Sequence, residues 1–256
     1  MAEHSRSTPT HRPKSDATLE PRAYVLSAHF HPGINLSKGG YKFASDISDY
    51  LEARTITVGP DQWQFTQPLG SVAGGQMQLT IGANVIHFEI GYPTHRMDWL
   101  ADRCKMVLQV FTETFKPKIM LLSNAKVAGT MQIDGDAREF LVRHVTSFNA
   151  DRFTMLKRPI HLFGIRIFCP PYKKDVKKGR KTVPQLTNWQ IEIKAESLVE
   201  DASKLYLEAD AQWPAPGQWD EPNINEMVGH LKLVNDYLAK DVMEFLQKPN
   251  TTGETP

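Results

Sequence analysis

The stretch from Asn188 to Gln247 changes its hydrophobic period once, and that change limits what the chain can become. Trp189, Ile191, Ile193 and Ala195 alternate with Gln190, Glu192, Lys194 and Glu196. After an acidic, Ser-containing turn, Leu205, Leu207, Ala209, Ala211 and Trp213 alternate with Tyr206, Glu208, Asp210 and Gln212. A period of two on both arms predicts a β-hairpin with one apolar and one polar face. Beyond a Pro-rich loop, Ile224, Met227, Val228, Leu231, Val234, Leu238, Val242 and Phe245 recur at three and four. That spacing predicts an amphipathic helix able to cover the apolar face of the hairpin.

Upstream, the same signals mark further elements. Tyr24 to His31 alternates as a strand, and Phe43, Ile47, Tyr50 and Leu51 predict a short helix ending near Arg54. Strand-like runs follow at 55–58, 63–66, 76–81 and 84–90, separated by Gly59-Pro60, Gly74-Gly75 and a turn at 82–84. Leu100, Cys104, Val107, Leu108, Phe111 and Phe115 then form a helical stripe that Pro117 stops. Residues 119–133 read as extended, with a bulge or bend at Gly129. A helix opens at Asp136, another strand covers 160–168, and a polar, basic loop leads into the late hairpin.

This order predicts an α+β fold of tandem β-α-β(3–4)-α units, with antiparallel sheets packed on long helices. Such an order resembles the TATA-binding-protein-like or helix-grip-like arrangement, a fold-level analogy that assigns no function. The expected division is a disordered tail at 1–22, a first unit at 23–117, a second at 118–247 and a disordered tail at 248–256. The inferred internal duplication rests on element order, since the halves share no residue-level identity.

With 30 Lys and Arg against 29 Asp and Glu, the chain has no global pull toward nucleic acid or anionic lipid. No apolar run reaches the roughly 20 residues a membrane span requires, and the first 22 residues do not read as a signal peptide. Cys104 and Cys169 sit among apolar neighbours and read as buried thiols of a reducing compartment. A cytoplasmic protein without a membrane partner is expected.

The densest local charge is Lys173, Lys174, Lys177, Lys178, Arg180 and Lys181, with Tyr172 placed to stack. Basic side chains on one connection could gather phosphates with salt-sensitive affinity; they could equally keep a sheet edge soluble. His29, His31 and His87, with His95 nearby, are candidates for a metal site. Asp136 with Glu139 reads better as a helix cap than as a cation site. Trp219, in a Pro-rich loop expected to be exposed, is a candidate partner contact together with Tyr172. No nucleophile elbow, phosphate loop or dinucleotide fingerprint occurs, so no catalytic residue and no cofactor is named.

At Arg158-Pro-Ile-His-Leu-Phe-Gly-Ile-Arg166, at Trp189 through Gln212 and at the helix end Val242-Met-Glu-Phe245, the chain resembles an uncharacterised bacterial family. That family is sporadically distributed and of about this length. The resemblance implies a bacterial, cytosolic setting and lends no activity. It singles out Arg166, a charge in an otherwise apolar strand, as the partner of a carboxylate.

These features support a non-catalytic binding or interaction protein of unknown partner, expected to be another protein. Three alternatives stay open: a nucleic-acid or polyanion binder through 173–181, an apolar-ligand carrier, and a metal-dependent hydrolase. The sequence leaves the oligomeric state undetermined.

Overall fold

In a computed structural model, residues 12–13, 18–70, 75–146, 148, 153, 155–178, 181–214 and 216–248 are described. Of these, 12–13, 38–40, 174, 176–178 and 181–186 are described by their backbone alone. The strands are β1 (Arg12–Pro13), β2 (Glu20–Phe30), β3 (Thr55–Val58), β4 (Gln62–Pro68), β5 (Gln76–Gly82) and β6 (Val85–Gly91). They continue with β7 (Met120–Asp134), β8 (Gly164–Cys169), β9 (Lys173–Lys178), β10 (Lys181–Leu186), β11 (Gln190–Ser197) and β12 (Lys204–Trp213). The helices are α1 (Leu36–Leu51), α2 (Met97–Phe115), α3 (Ala137–Phe140), α4 (Glu221–Tyr237) and α5 (Met243–Gln247).

One antiparallel sheet organises these elements, in the order β3-β4-β5-β6-β2-β7-β12-β11-β8, with β1 also pairing β7. This overturns the expected α+β fold of tandem units on long helices, and the helix-grip-like comparison falls with it. The protein is sheet-dominated, and its helices are laid on one face of a single sheet. The physical reason is the pairing of β2 with β7, which runs from Glu20↔Thr130 to Phe30↔Met120. Sequence order places these two strands at the heads of separate units. Their hydrogen bonds join them side by side, so the sheet has no break at its middle.

The face bearing the helices carries the core. Leu26 and Phe30 of β2, Phe65 of β4, Leu79 of β5, Phe88 of β6 and Val127 of β7 belong to one buried cluster. It continues through Leu207 of β12 and Ile193 of β11 to Phe43, Phe111 and Leu231 of α1, α2 and α4. Strands β11 and β12 are buried at alternate positions, Ile191, Ile193 and Ala195 on β11 facing Ala211, Ala209 and Leu207 on β12. An antiparallel sheet covered on one side and wet on the other produces this alternation.

Two local expectations change in detail. The irregularity expected at Gly129 lies in the strand opposite, where Pro21 pairs Gly129 and Ala23 pairs Ala128, leaving Arg22 as the extra residue. Gly129 is required for another reason. A β-carbon there would come within 2.7 Å of the Leu19 side chain and 2.8 Å of the Glu20 carbonyl oxygen. In the last helix, a wider π-helical turn at Leu238–Val242 separates α4 from α5. The added residue advances the helical phase, so Met243 and Leu246 are buried while Phe245, expected on the buried stripe, is 51% exposed.

Asp136 caps α3 as expected, its carboxylate accepting from the backbone N–H of Arg138 at 2.8 Å and Glu139 at 3.1 Å. Glu139 pairs with Arg143 at 2.7 Å.

Candidate functional site

The segment read as a basic loop is a two-stranded antiparallel ribbon, β9 with β10. β8 leads into β9 and β10 leads into β11, so the four strands make one long hairpin. The register of β8 with β11 matches Cys169 to Ile191, and that of β9 with β10 matches Lys173 to Leu186. The two registers differ by one residue across Pro170-Pro171, which lacks the N–H groups needed to continue the ladder. The β9–β10 ribbon is therefore an arm extending from one corner of the sheet.

At the base of this arm an open groove of about 1000 Å³ lies between the β8–β11 end of the sheet and α4. Its sheet side is formed by Phe168, Cys169, Trp189 and Ile191, with Tyr172 at the root of the arm. Gly229, Leu233 and Tyr237 line its helix side, with Lys232, Asp236, Lys240 and Asp241 at the rim. Asp236 and Lys240 form an ion pair at 3.5 Å. A smaller apolar pocket of about 240 Å³ adjoins it beneath Ile165 and Ile167, walled by Val242, Phe245 and Leu246. The groove exists because β8 ends the sheet beyond the reach of α4.

An aromatic series leads from the groove into the core. Tyr237 stands edge-on to Trp189 at 6.2 Å, Trp189 stacks on Trp213 at 5.7 Å, and Trp213 stacks on His230 at 3.7 Å. Burial pushes the Tyr237 phenol upward, with Cys169, Asp241 and Tyr172 adding smaller effects in the same direction. His230 shares a 3.3 Å hydrogen bond with the Ser123 hydroxyl, and burial lowers its pKa to about 4. The imidazole at the inner end of the series is therefore neutral at neutral pH.

The helix-free face of the sheet is polar and internally paired. Arg166 meets Glu192 at 3.1 Å, the carboxylate partnership expected of it, although it projects into solvent. Lys194 meets Glu196 at 3.2 Å and lies over the Tyr206 ring, whose hydroxyl donates to Glu208 at 2.6 Å. Lys126 approaches Glu208 at 3.9 Å, and the Asn124 amide donates to Asp210. Burial raises both the Tyr206 phenol and the Asp210 carboxyl above their ordinary values. Neighbouring groups answer these charges.

The other residues singled out from sequence are dispersed. His29 is exposed on β2, and His31 follows that strand with Nδ1 at 2.8 Å from the Pro32 carbonyl. His87 on β6 bonds Ser27 at 2.8 Å and approaches Glu89 at 3.6 Å. Among the described residues, no three His, Cys, Asp or Glu side chains gather to hold a metal. Trp219 is only 9% exposed and packs on Phe30 and Phe111 at 5.7 and 5.4 Å. Its loop is held by reciprocal 2.9 Å backbone bonds between Met120 and Gly217, which draw the indole inward. Tyr172 is 54% exposed at the groove. Lys173 is exposed; Lys174, Lys177, Lys178 and Lys181 lie on the arm's backbone, and Arg180 is outside the described residues.

Sequence reasoning missed Gly229, Leu233 and Tyr237. Their signal was their position off the buried stripe of α4, where two large apolar-bodied residues and a glycine share a region otherwise expected to be polar. Among the described residues, no helix is long and apolar enough to cross a membrane. The chain matches no protein-family model and no curated protein sequence.

Proposed function

We propose that this is a cytoplasmic, non-catalytic binding protein whose contact surface is the groove between the β8–β11 end of the sheet and α4. The observation that carries this reading is an open space of about 1000 Å³ with aromatic walls and a charged rim. That combination suits recognition of a mainly apolar ligand or side-chain cluster, with the rim fixing its orientation. The π-helical turn between α4 and α5 adds support, because such turns recur where a helix is shaped for function. Two free thiols support a reducing compartment.

Titration with anilinonaphthalene sulfonate, followed by fluorescence and by thermal shift, tests the groove. Gly229 is exposed on α4 and a β-carbon added there meets nothing within 4 Å, so Gly229→Trp fills the space without a backbone clash. The expected result is saturable binding with a raised Tm for the native protein and loss of both in Gly229→Trp. Equal binding by the two would place the ligand elsewhere and sink the reading.

A second reading follows from the arm. A basic segment on a paired ribbon is presented as an extended element, which supports contact with a polyanion such as nucleic acid. Binding that falls steeply with salt and disappears on joint Ala substitution of Lys177, Lys178, Arg180 and Lys181 would favour it. Salt-insensitive binding that survives those changes would exclude the arm.

A further inference from the structure

We propose that β8 is a self-pairing edge through which two copies of this chain form a closed dimer with one continuous sheet. The inference is independent of what occupies the groove. Among the described residues, β8 pairs only β11 and ends the sheet order, so its other side is an open edge. Its pairing with β11 runs without a bulge from Gly164 to Cys169, and the strand contains no proline and no lysine. Apart from Arg166 and its six-residue length, the strand therefore lacks the devices that ordinarily prevent edge-to-edge association.

The hydrogen-bond phase is readable. The Phe163 carbonyl accepts from the Ser197 N–H at 2.9 Å, and the Phe163 N–H donates to the Ser197 hydroxyl at 3.0 Å. Alternation then turns the backbone groups of Ile165, Ile167 and Cys169 toward β11. Those of Gly164, Arg166 and Phe168 turn toward the open side. A two-fold axis perpendicular to the sheet keeps the helices of both copies on one side, and it must pass a residue position for the faces to match.

Charge excludes one of the available axes. With the axis at Arg166, the strand's one charged residue would face its own copy. With the axis at Ile167, Arg166 lies opposite Phe168 of the second copy, and each supplies the N–H and C=O that the other needs. The guanidinium, held by Glu192 at 3.1 Å, then meets an aromatic ring that is 56% exposed in the single chain. On the helix side, Ile167 faces Ile167 and Ile165 faces Cys169. The half-exposed Phe245 at the adjoining pocket extends the apolar surface toward the axis. Like-with-like pairing closes after two copies, whereas joining β8 to the opposite edge strand β3 would propagate without end.

Cysteine cross-linking combined with light scattering tests the dimer and its register. In a Cys169→Ser background, Ile167→Cys sits at a non-hydrogen-bonded position facing itself, where the close approach suits a disulfide. The expected result is an intermolecular disulfide at residue 167, and a two-chain mass for the protein without cross-link. Phe168→Lys should raise the dissociation constant by about tenfold or more, because a cation then faces Arg166. Phe168→Glu should leave the dimer formed. Residue 168 is exposed in the single chain, so circular dichroism should find both variants folded. A one-chain mass at 100 µM, preferential cross-linking through Arg166→Cys, or assemblies growing beyond two chains would overturn the proposal.

Discussion

The imidazole of His230 lies flat on the indole of Trp213, with ring centroids 3.7 Å apart and planes within 5°. Burial lowers the His230 pKa from its ordinary 6.5 to about 4, which links stability to pH. The unfolded chain takes up this proton near pH 6.5 and the folded chain only near 4. The stabilisation is therefore complete above about pH 6.5 and is lost as the pH falls toward 4, by about 3 kcal/mol in all. Urea midpoints should drop over that interval. His230→Gln should flatten the slope, and an unchanged slope would remove His230 as its cause.

Gly229 occupies an exposed, helical position with open space where a side chain would stand. Gly229→Ala should stabilise the protein by about 0.5–1 kcal/mol, because alanine loses less backbone freedom in a helix. Calorimetry should find a Tm increase of a few degrees. A decrease would mean that Gly229 makes a packing contact.

Gly129 lets Leu19 and the Glu20 carbonyl close over β7. Gly129→Ala should cost about 1–3 kcal/mol, the usual range for forced overpacking. Adding Leu19→Ala should recover part of the loss relative to Leu19→Ala alone, since the Glu20 backbone remains in the way. Full additivity in a double-mutant cycle would contradict that contact.

Phe111 is fully buried and packs on Phe30, Phe115 and Trp219 at 5.3–5.4 Å. Phe111→Ala should cost about 3–5 kcal/mol in chemical denaturation. A loss under 1 kcal/mol would show that the packed aromatics collapse around the gap.

The elements of this fold were legible where period and burial agree. The helical stripe expected from Leu100 to Phe115 falls on α2, with Leu100, Cys104, Val107, Leu108 and Phe111 buried. The late hairpin forms with its alternation intact. The groove was less legible: Tyr172 stood out for its place beside the basic run, where its ring could stack, but Leu233 and Tyr237 fall outside any buried pattern. Trp219 misled because composition marks a Pro-rich loop as exposed, while the Met120–Gly217 backbone bonds pull it inward.

Local sequence determined which stretches are strand or helix and which side of each is apolar, because backbone sterics and the periods of two and 3.6 act over a few residues. Only the tertiary structure decided that β2 and β7 join into one sheet and that the π-helical turn exchanges Phe245 for Leu246. Among the described residues, it also left β8 as an open edge beside a groove. Those outcomes depend on which hydrogen-bonding edges meet and how far each helix reaches, quantities that distant segments set together.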